Sequence, residues 1–169
     1  MPWHLNSYST AAYIRDPICF SETQDINKTC IFIFLNAYFL QMSDKVEYWL
    51  ELSEYDLETA EALLKSKRFI YVGFMCHQTI EKIFKAYYIQ LKKNSAPYSH
   101  SLSYIAKKGD FYSGFDEEQK EFIDQLEPLN IETRYPINKE RLLKSLNDNM
   151  SRDILNKTRE LQEWIKTKL

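Results

Sequence analysis

Residues 70–92 read IYVGFMCHQTIEKIFKAYYIQLK, and this stretch decides the fold. Its apolar or small residues recur at spacings of three and four, the period of a helix with one face against a core. That face carries Gly73, His77, Ile80, Phe84, Tyr87 and Leu91. A glycine costs about 1 kcal/mol in the middle of a helix, so its place on this face predicts the close approach of a neighbouring helix.

Helical patterns also lie on both sides of this stretch. A first helix is predicted from Lys45 to Lys65, capped by Asp44, with its acidic residues facing solvent. Three more helices are predicted: a short one from Ser99 through Lys108, one that Asp116 caps and Pro128 kinks or ends, and a last one from Lys139 to Lys168 that Asn138 caps, with Leu146, Met150 and Ile154 on its buried face. We therefore expect an all-α fold, an antiparallel up-and-down bundle of four to five helices.

The composition agrees with a globular helical protein. The 169 residues include only 3 Gly and 5 Pro, fewer than turn-rich β folds need. The net charge of -2 gives no overall attraction for nucleic acid but leaves room for a local basic patch. The cysteines, Cys19, Cys30 and Cys76, match no zinc-ligand spacing, and their odd number argues against a disulfide framework. We expect a cytoplasmic protein without a metal or cofactor.

Residues 1–41 differ from the rest of the chain. The apolar run from Cys30 to Leu40 has about eleven residues, whereas a membrane-spanning helix needs about twenty. A secretory signal fits poorly, because no cluster of Lys or Arg opens the chain. A well-patterned helix follows Met42 at once. We interpret Met42 as the natural start, residues 1–41 as a non-native or disordered extension, and residues 42–169 as the domain.

Four local patterns, in this order and spacing, resemble the HEPN domain family. They are Tyr55-Asp56-Leu57-Glu58-Thr59-Ala60 with Leu63-Leu64, the stretch His77-Gln78-Thr79-Ile80-Glu81-Lys82-Ile83-Phe84-Lys85-Ala86, then His100-Ser101-Leu102, and Arg134-Tyr135-Pro136 before the last helix. The resemblance implies a helical bundle that usually forms a homodimer. It also implies a gene that often stands beside a small nucleotidyltransferase in a toxin–antitoxin pair. Many relatives are metal-independent ribonucleases, and others bind nucleotide or RNA without catalysis.

The ribonucleases of this family use an Arg followed, after four to six residues, by a His. The His residues of this chain are His4, His77 and His100, and none of them stands in that relation to an Arg. In-line attack by a ribose hydroxyl needs a proton acceptor near the phosphate. We therefore assign no catalytic residue and expect a non-catalytic module that binds nucleotide or RNA, pairs with a nucleotidyltransferase, or both. The alternatives are a metal-independent ribonuclease with a displaced site and an interaction bundle without a ligand.

Five residues are candidates for nucleotide or RNA binding: Arg134, Lys82, His77, His100 and Glu81. Arg134 is the first choice, because a guanidinium presents paired donors to phosphate. Alternatively, Arg134 pins the Pro136 turn by hydrogen bonds to helix ends. A surface ion-pair network is the favoured explanation of Glu81, Lys82 and Lys85, and His100 is explained as part of a helix cap. His77 lies on the apolar face, either as a buried His satisfied by a polar neighbour or as the lining of a cleft.

Overall fold

A computed structural model describes residues 25–169, without the side chains of residues 25–30 and 39. Its helices are α1 (Asp25–Lys65), α2 (Phe69–Lys92), α3 (Leu102–Lys108), α4 (Glu117–Leu126), α5 (Leu129–Glu132), α6 (Lys139–Ser145) and α7 (Asp148–Lys166), with a 3₁₀ turn at Tyr112–Gly114. These described residues form no strand. The predicted all-α helical bundle is confirmed.

The chain divides into two compact units, Met1–Asn36 and Ala37–Leu169. The described residues of the first unit, 25–36, are the first turns of α1, and the second unit contains all later helices. No helix within residues 25–169 combines the length and the hydropathy that crossing a membrane requires.

The first helix begins twenty residues before the predicted start at Lys45, because α1 starts at Asp25. The consecutive apolar residues after Cys30 hide any amphipathic period, which is why the pattern failed to reveal this part of the helix. The chain from Asp25 to Val72 contains no Gly or Pro that would break a helix. Residues 1–24 lie outside the described residues, and the assignment of residues 1–41 as a separate extension stays a prediction.

Helix α2 is the centre of the second unit. It contacts α3, α4, α5, α6 and α7, and among these five it packs most extensively against α7. Ile80, Ile83 and Phe84 are fully buried along it. The ring of Phe84 lies 5.4 Å from those of both Phe111 and Phe115, which closes the core beyond α3. The predicted core position of Leu91 is wrong: this side chain, in the last turn of α2, is 46% exposed.

A chain of buried hydrogen bonds joins α1, α2 and α7. The Ser53 hydroxyl donates to the carbonyl oxygen of Thr79 at 2.8 Å, and the side-chain amide of Gln162 donates to the Ser53 oxygen at 2.8 Å. Buried polar groups are costly unless they are paired in this way. The bonds therefore fix the register of the three longest helices.

The predicted end signals of α4 are confirmed. Asp116 accepts from the backbone N–H of Gln119 at 2.8 Å, and Gln119 accepts from the backbone N–H of Asp116 at 3.1 Å, which completes a capping box. The helix ends at Leu126, and Pro128 stands at the N-cap of α5.

The prediction of one continuous last helix is wrong. The chain forms α6 and α7, separated by Leu146 and Asn147, and the Asn147 side chain caps α7 by accepting from the N–H of Met150 at 3.0 Å. This break changes the phase of the buried face between the two helices. As a result Leu142 and Ile154 are buried, whereas Met150 is 38% exposed.

Gly73 marks the close approach that its position predicts. A Cβ atom at Gly73 would lie 3.1 Å from Cδ1 of Leu129 and 3.7 Å from Cγ2 of Thr133. The neighbour is therefore the short helix α5, and this contact holds the segment that leads to Arg134 against α2.

We predict that Gly73→Val lowers the free energy of unfolding by about 1–3 kcal/mol, because the added isopropyl group overpacks the contact with α5. Gly114→Ala is the matched control, since a Cβ there meets nothing within 4 Å. Urea denaturation of both variants measures the difference. If Gly73→Val were as stable as wild type, the packing of α5 against α2 would be loose.

Candidate functional site

Several polar side chains meet where α2 faces the loop before α3. We call His77, Glu81, Lys85 and His100 the Glu81 cluster. Glu81 accepts from the Lys85 ammonium at 2.7 Å and is 2.9 Å from Nδ1 of His100. Nδ1 of His77 lies 3.9 Å from the same Glu81 carboxylate. Three of the five predicted site residues are thus brought together.

The predicted surface ion-pair network is wrong for Glu81 and Lys85, because both residues are buried. The Lys85 ammonium also lies 4.8 Å from the centre of the Trp49 ring on α1, a cation–π contact. Removing one member of a buried ion pair typically costs about 3–5 kcal/mol, since the other charge is left unpaired. Glu81 therefore holds the Lys85 ammonium, and Lys85 packs α2 against α1 through Trp49.

His77 is fully buried, and neither of its ring nitrogens has a hydrogen-bond partner among the described residues. The predicted satisfaction by a polar neighbour is therefore incomplete, since the Glu81 carboxylate lies 3.9 Å from Nδ1. Burial lowers the pKa of His77 to about 4, and the charges of His100 and Arg134 act in the same direction, whereas the charge of Glu81 and the backbone of His100 oppose them. A neutral imidazole at this position follows at physiological pH.

Lys82 is directed away from this group. It forms an ion pair with Asp56 on α1, and both side chains are largely buried. Burial raises the pKa of Asp56, while the hydrogen bond from Lys82 and its charge oppose this effect. Lys82 therefore ties α2 to α1 and is not joined to the other candidate residues.

His100 is exposed at 59% of its side chain, with Nδ1 facing Glu81. The cap of α3 is made by its neighbour Ser101, whose hydroxyl oxygen accepts from the N–H of Tyr104 at 3.2 Å. The capping alternative is therefore correct for Ser101 and wrong for His100. The carboxylate orients the ring of His100, and most of that side chain remains open to solvent.

Arg134 follows α5 and is held in place by that helix. Its Nε donates to the Asn130 carbonyl oxygen at 2.7 Å, and its Nη2 donates to Oδ1 of the Asn130 side chain at 2.9 Å. The guanidinium lies 5.5 Å from the centre of the Phe74 ring on α2. A guanidinium has five N–H donors. Arg134 thus pins the turn before Pro136, which was one of the two predicted roles. Its remaining N–H donors have no partner among the described residues.

A cavity of about 370 Å³ opens beside Arg134. We call it the Arg134 cavity. It is lined by Lys67, Arg68, Phe69, Ile70, Tyr71, Thr133, Arg134, Pro136, Lys139 and Leu143. Four of these residues are cations, none is acidic, and Lys67, Arg68 and Lys139 form no ion pair within the described part of the chain.

The N-terminus of α2 opens into this cavity. Arg68 stands at the N-cap without a side-chain cap, and the first turn contains no acidic residue. The carbonyl oxygen of Arg68 accepts from the N–H groups of Tyr71 and Val72. No described group accepts from the N–H of Phe69 or Ile70. The positive end of the α2 dipole therefore adds to the four side-chain cations.

Lys67 has an unusual backbone conformation at the edge of the cavity. Its φ of 57° lies in the left-handed region, which favours glycine. The N–H of Arg68 bonds to the carbonyl oxygen of Leu63 at 2.8 Å, the arrangement that ends many helices with a glycine at the position of Lys67. The chain therefore carries a cation where backbone geometry alone would favour glycine.

Sequence reasoning found Arg134 but missed Lys67, Arg68 and Lys139. In the sequence, the run Lys65-Ser66-Lys67-Arg68 indicates only positive charge that suits the dipole at the end of the first helix. The signal available was the absence of an acidic residue in the first turn of α2. Lys139 lies about seventy residues later in the chain, and only the tertiary fold brings it to the same cavity as Lys67 and Arg68.

None of the described residues form a group of three or more His, Cys, Asp or Glu side chains that would hold a metal ion. The arrangement has two parts. In the Glu81 cluster, the buried Glu81 carboxylate orients His100 and influences His77, and the open Arg134 cavity is lined by four cations and by the N-terminus of α2. The second part is suited to bind an anion.

Comparison with known proteins gives one family and a similar structure. The family model described as HEPN domain matches residues 46–168. The protein TT1696 from Thermus thermophilus has a similar crystal structure, with a TM-score of 0.63 and 18% sequence identity over 74% of this chain and 98% of that chain. At this identity the likeness concerns the fold alone. No curated protein matches the chain.

The low pKa of His77 predicts a loss of stability in acid. The unfolded chain takes up a proton near the ordinary His pKa of 6.5, whereas folded His77 does so only near 4, so the free energy of unfolding falls as the pH drops between these values. The difference corresponds to about 3 kcal/mol. Urea denaturation across this range should show a shallower decline for His77→Gln than for wild type.

His100→Gln is the control for this experiment, since it removes an exposed imidazole and should retain the decline. An identical pH dependence in His77→Gln and wild type would mean that the pKa of His77 is the same in the folded and the unfolded chain, which would contradict the effect of burial.

Proposed function

The chain belongs to the HEPN domain family, and from this premise we propose that it is a non-catalytic module that binds the phosphate groups of a nucleotide or RNA in the Arg134 cavity. The observation that carries the proposal is the cavity itself. Four cations and no acidic residue line a space of about 370 Å³ in a chain whose net charge is -2. Such a local excess of charge attracts anions in spite of the overall balance.

The chemistry of the lining favours phosphate over a carboxylate. Arg134 is held by Asn130 with part of its guanidinium free, so a bidentate contact needs little reorganisation. The N–H groups of Phe69 and Ile70 supply the helix-terminus contact that phosphates commonly make. The exposed ring of Tyr71 stands at the same cavity and offers a surface on which a base stacks.

Arg134→Gln tests the binding of ATP, GTP and a short single-stranded RNA by calorimetry. We expect the affinity to fall by at least about tenfold, since a hydrogen bond to a charged group contributes about 1.5–3 kcal/mol. Arg141→Gln is the matched control, because it removes an exposed Arg on α6 that lies outside the cavity lining. If both variants lost the same affinity, the overall charge of the protein would explain the loss, and the position of Arg134 would not matter. Absence of binding to wild type would contradict the proposal.

Lys67→Gly separates binding from folding in the same experiment. Glycine removes the strain of the left-handed conformation, so the free energy of unfolding should rise by up to about 1 kcal/mol. The affinity for nucleotide should nevertheless fall, because the cavity loses a cation. A variant that is more stable and binds less tightly cannot owe its loss to misfolding.

A second candidate function is metal-independent RNA cleavage. The observation that favours it is the pair of Glu81 and exposed His100, in which a buried carboxylate orients an imidazole that solvent reaches. A His held in this way is a competent general base for a ribose hydroxyl. Incubation of labelled RNA in EDTA tests it, with loss of cleavage expected in His100→Gln and in Arg134→Ala. Cleavage that survives both substitutions would exclude this site.

We further propose the homodimer and the nucleotidyltransferase partner of a toxin–antitoxin pair on family membership alone. Exposed tyrosines, Tyr98 and Tyr104 among them, are of a residue type enriched at protein interfaces. Sedimentation of the purified protein distinguishes a dimer from a monomer, and a monomer at micromolar concentration would refute the first part.

A further inference from the structure

A second basic cavity lies between the end of α1 and the first turns of α7. It has a volume of about 270 Å³, and we call it the Arg159 cavity. Its lining is Glu61, Leu64, Lys65, Arg152, Leu155, Asn156 and Arg159. Three cations and one carboxylate thus face this space. Arg152 and Arg159 are seven residues apart on α7, which places them on one face of the helix about 10 Å apart along its axis.

The two arginines are oriented by neighbours and keep free donors. Arg152 donates from Nε and Nη2 to the Asp148 carboxylate at 2.7 and 3.2 Å. Arg159 donates from Nη2 to Glu61 at 2.6 Å and from Nη1 to Asn156 at 3.3 Å. Each guanidinium has five N–H donors, so each retains donors without a partner among the described residues. Carboxylates that hold the arginines from one side leave the other side for an anion.

The loop between α1 and α2 joins the Arg159 cavity to the Arg134 cavity. Lys65 lines the former, whereas Lys67 and Arg68 line the latter, with a single residue between Lys65 and Lys67. The hydrogen bond from Arg152 lowers the pKa of Asp148, and the charge of Lys67 adds to this effect. Lys67 is therefore close to the ion pair at the edge of the Arg159 cavity, and the basic surface continues from one cavity to the other.

The two linings hold an unusual share of the positive charge. Seven of the 22 Lys and Arg residues lie there with one of the 24 acidic residues, so the remainder of the chain has 15 basic and 23 acidic residues. The acidic excess of the remainder disfavours a polyanion on average, whereas the two linings attract it. The charge distribution thus defines a path as well as a single binding point.

On the basis of the proposed function, we infer that the Arg159 cavity is a second phosphate subsite and that the ligand is a single strand of nucleic acid which crosses the α1–α2 loop between the two cavities. One nucleotide occupies one cavity, whereas successive phosphates of a strand engage both. The exposed Tyr71 ring and the half-buried Phe69 ring beside the loop favour unpaired bases, since a base must leave its duplex to stack on a side chain.

Fluorescence anisotropy with a labelled diuridylate and an oligouridylate of about twelve nucleotides tests this inference over a range of salt concentration. If all seven cations contact phosphates, the logarithm of the affinity of the longer strand should fall with the logarithm of salt with a slope of about -5. For the dinucleotide, which has a single internucleotide phosphate and reaches the Arg134 cavity alone, we expect a slope of about -0.7.

The double variant Lys65→Gln/Arg152→Gln isolates the second subsite. Its slope for the longer strand should be weaker than that of wild type by about 1.4, with a severalfold loss of affinity, and its affinity for the dinucleotide should not change. Lys157→Gln is the matched control, because Lys157 also lies on α7 in an i,i+4 ion pair, with Asp153, but does not line either cavity.

The outcomes separate the inference from the proposed function. If the dinucleotide binds and the double variant holds the longer strand as tightly as wild type, the second subsite is refuted and the Arg134 cavity stands. The same conclusion follows if Lys157→Gln weakens binding as much per charge as the double variant does. If wild type binds neither probe, the proposed function and the inference both fail.

Discussion

Enclosure of α2 is the constraint on which the structure depends. This helix contacts α1 as well as α3 to α7, so any charge on its inner faces must find a partner inside the protein. Glu81 meets that requirement by accepting from Lys85 on its own helix and by pairing with His100 from the loop before α3. Lys85 in turn lies against Trp49 of α1. The Glu81 cluster therefore positions the elements that surround α2, and its residues and their partners come from three separate parts of the chain.

The same enclosure explains the position of the Arg134 cavity, where we propose that an anion binds. Most of α2 is covered, but its N-terminus remains open beside α5 and α6, where the N–H groups of Phe69 and Ile70 meet the cations of the Arg134 cavity. Close packing at Gly73 draws α5 onto α2, and Asn130 of α5 then orients Arg134. The site is thus a product of helix ends held by the core, in a protein whose overall charge would otherwise disfavour a polyanion.

The sequence predicted the fold well and the site in part, for physical reasons. Periodicity and caps identify α2 and α4, because these helices are amphipathic and their ends carry local signals such as Asp116. The first turns of α1 lack an amphipathic period, and the break at Leu146 was outweighed by the continuous pattern around it. Arg134 was recognisable from its motif, whereas the joining of Lys67, Arg68 and Lys139 into one cavity depends on contacts between distant segments.

A crystal structure of the protein with a bound nucleoside monophosphate tests the central claim most directly. The account predicts that the phosphate occupies the Arg134 cavity, with oxygens about 2.7–2.9 Å from the Arg134 guanidinium and within reach of the N–H groups of Phe69 and Ile70. Electron density for the nucleotide at another surface, with the Arg134 cavity empty, would contradict it.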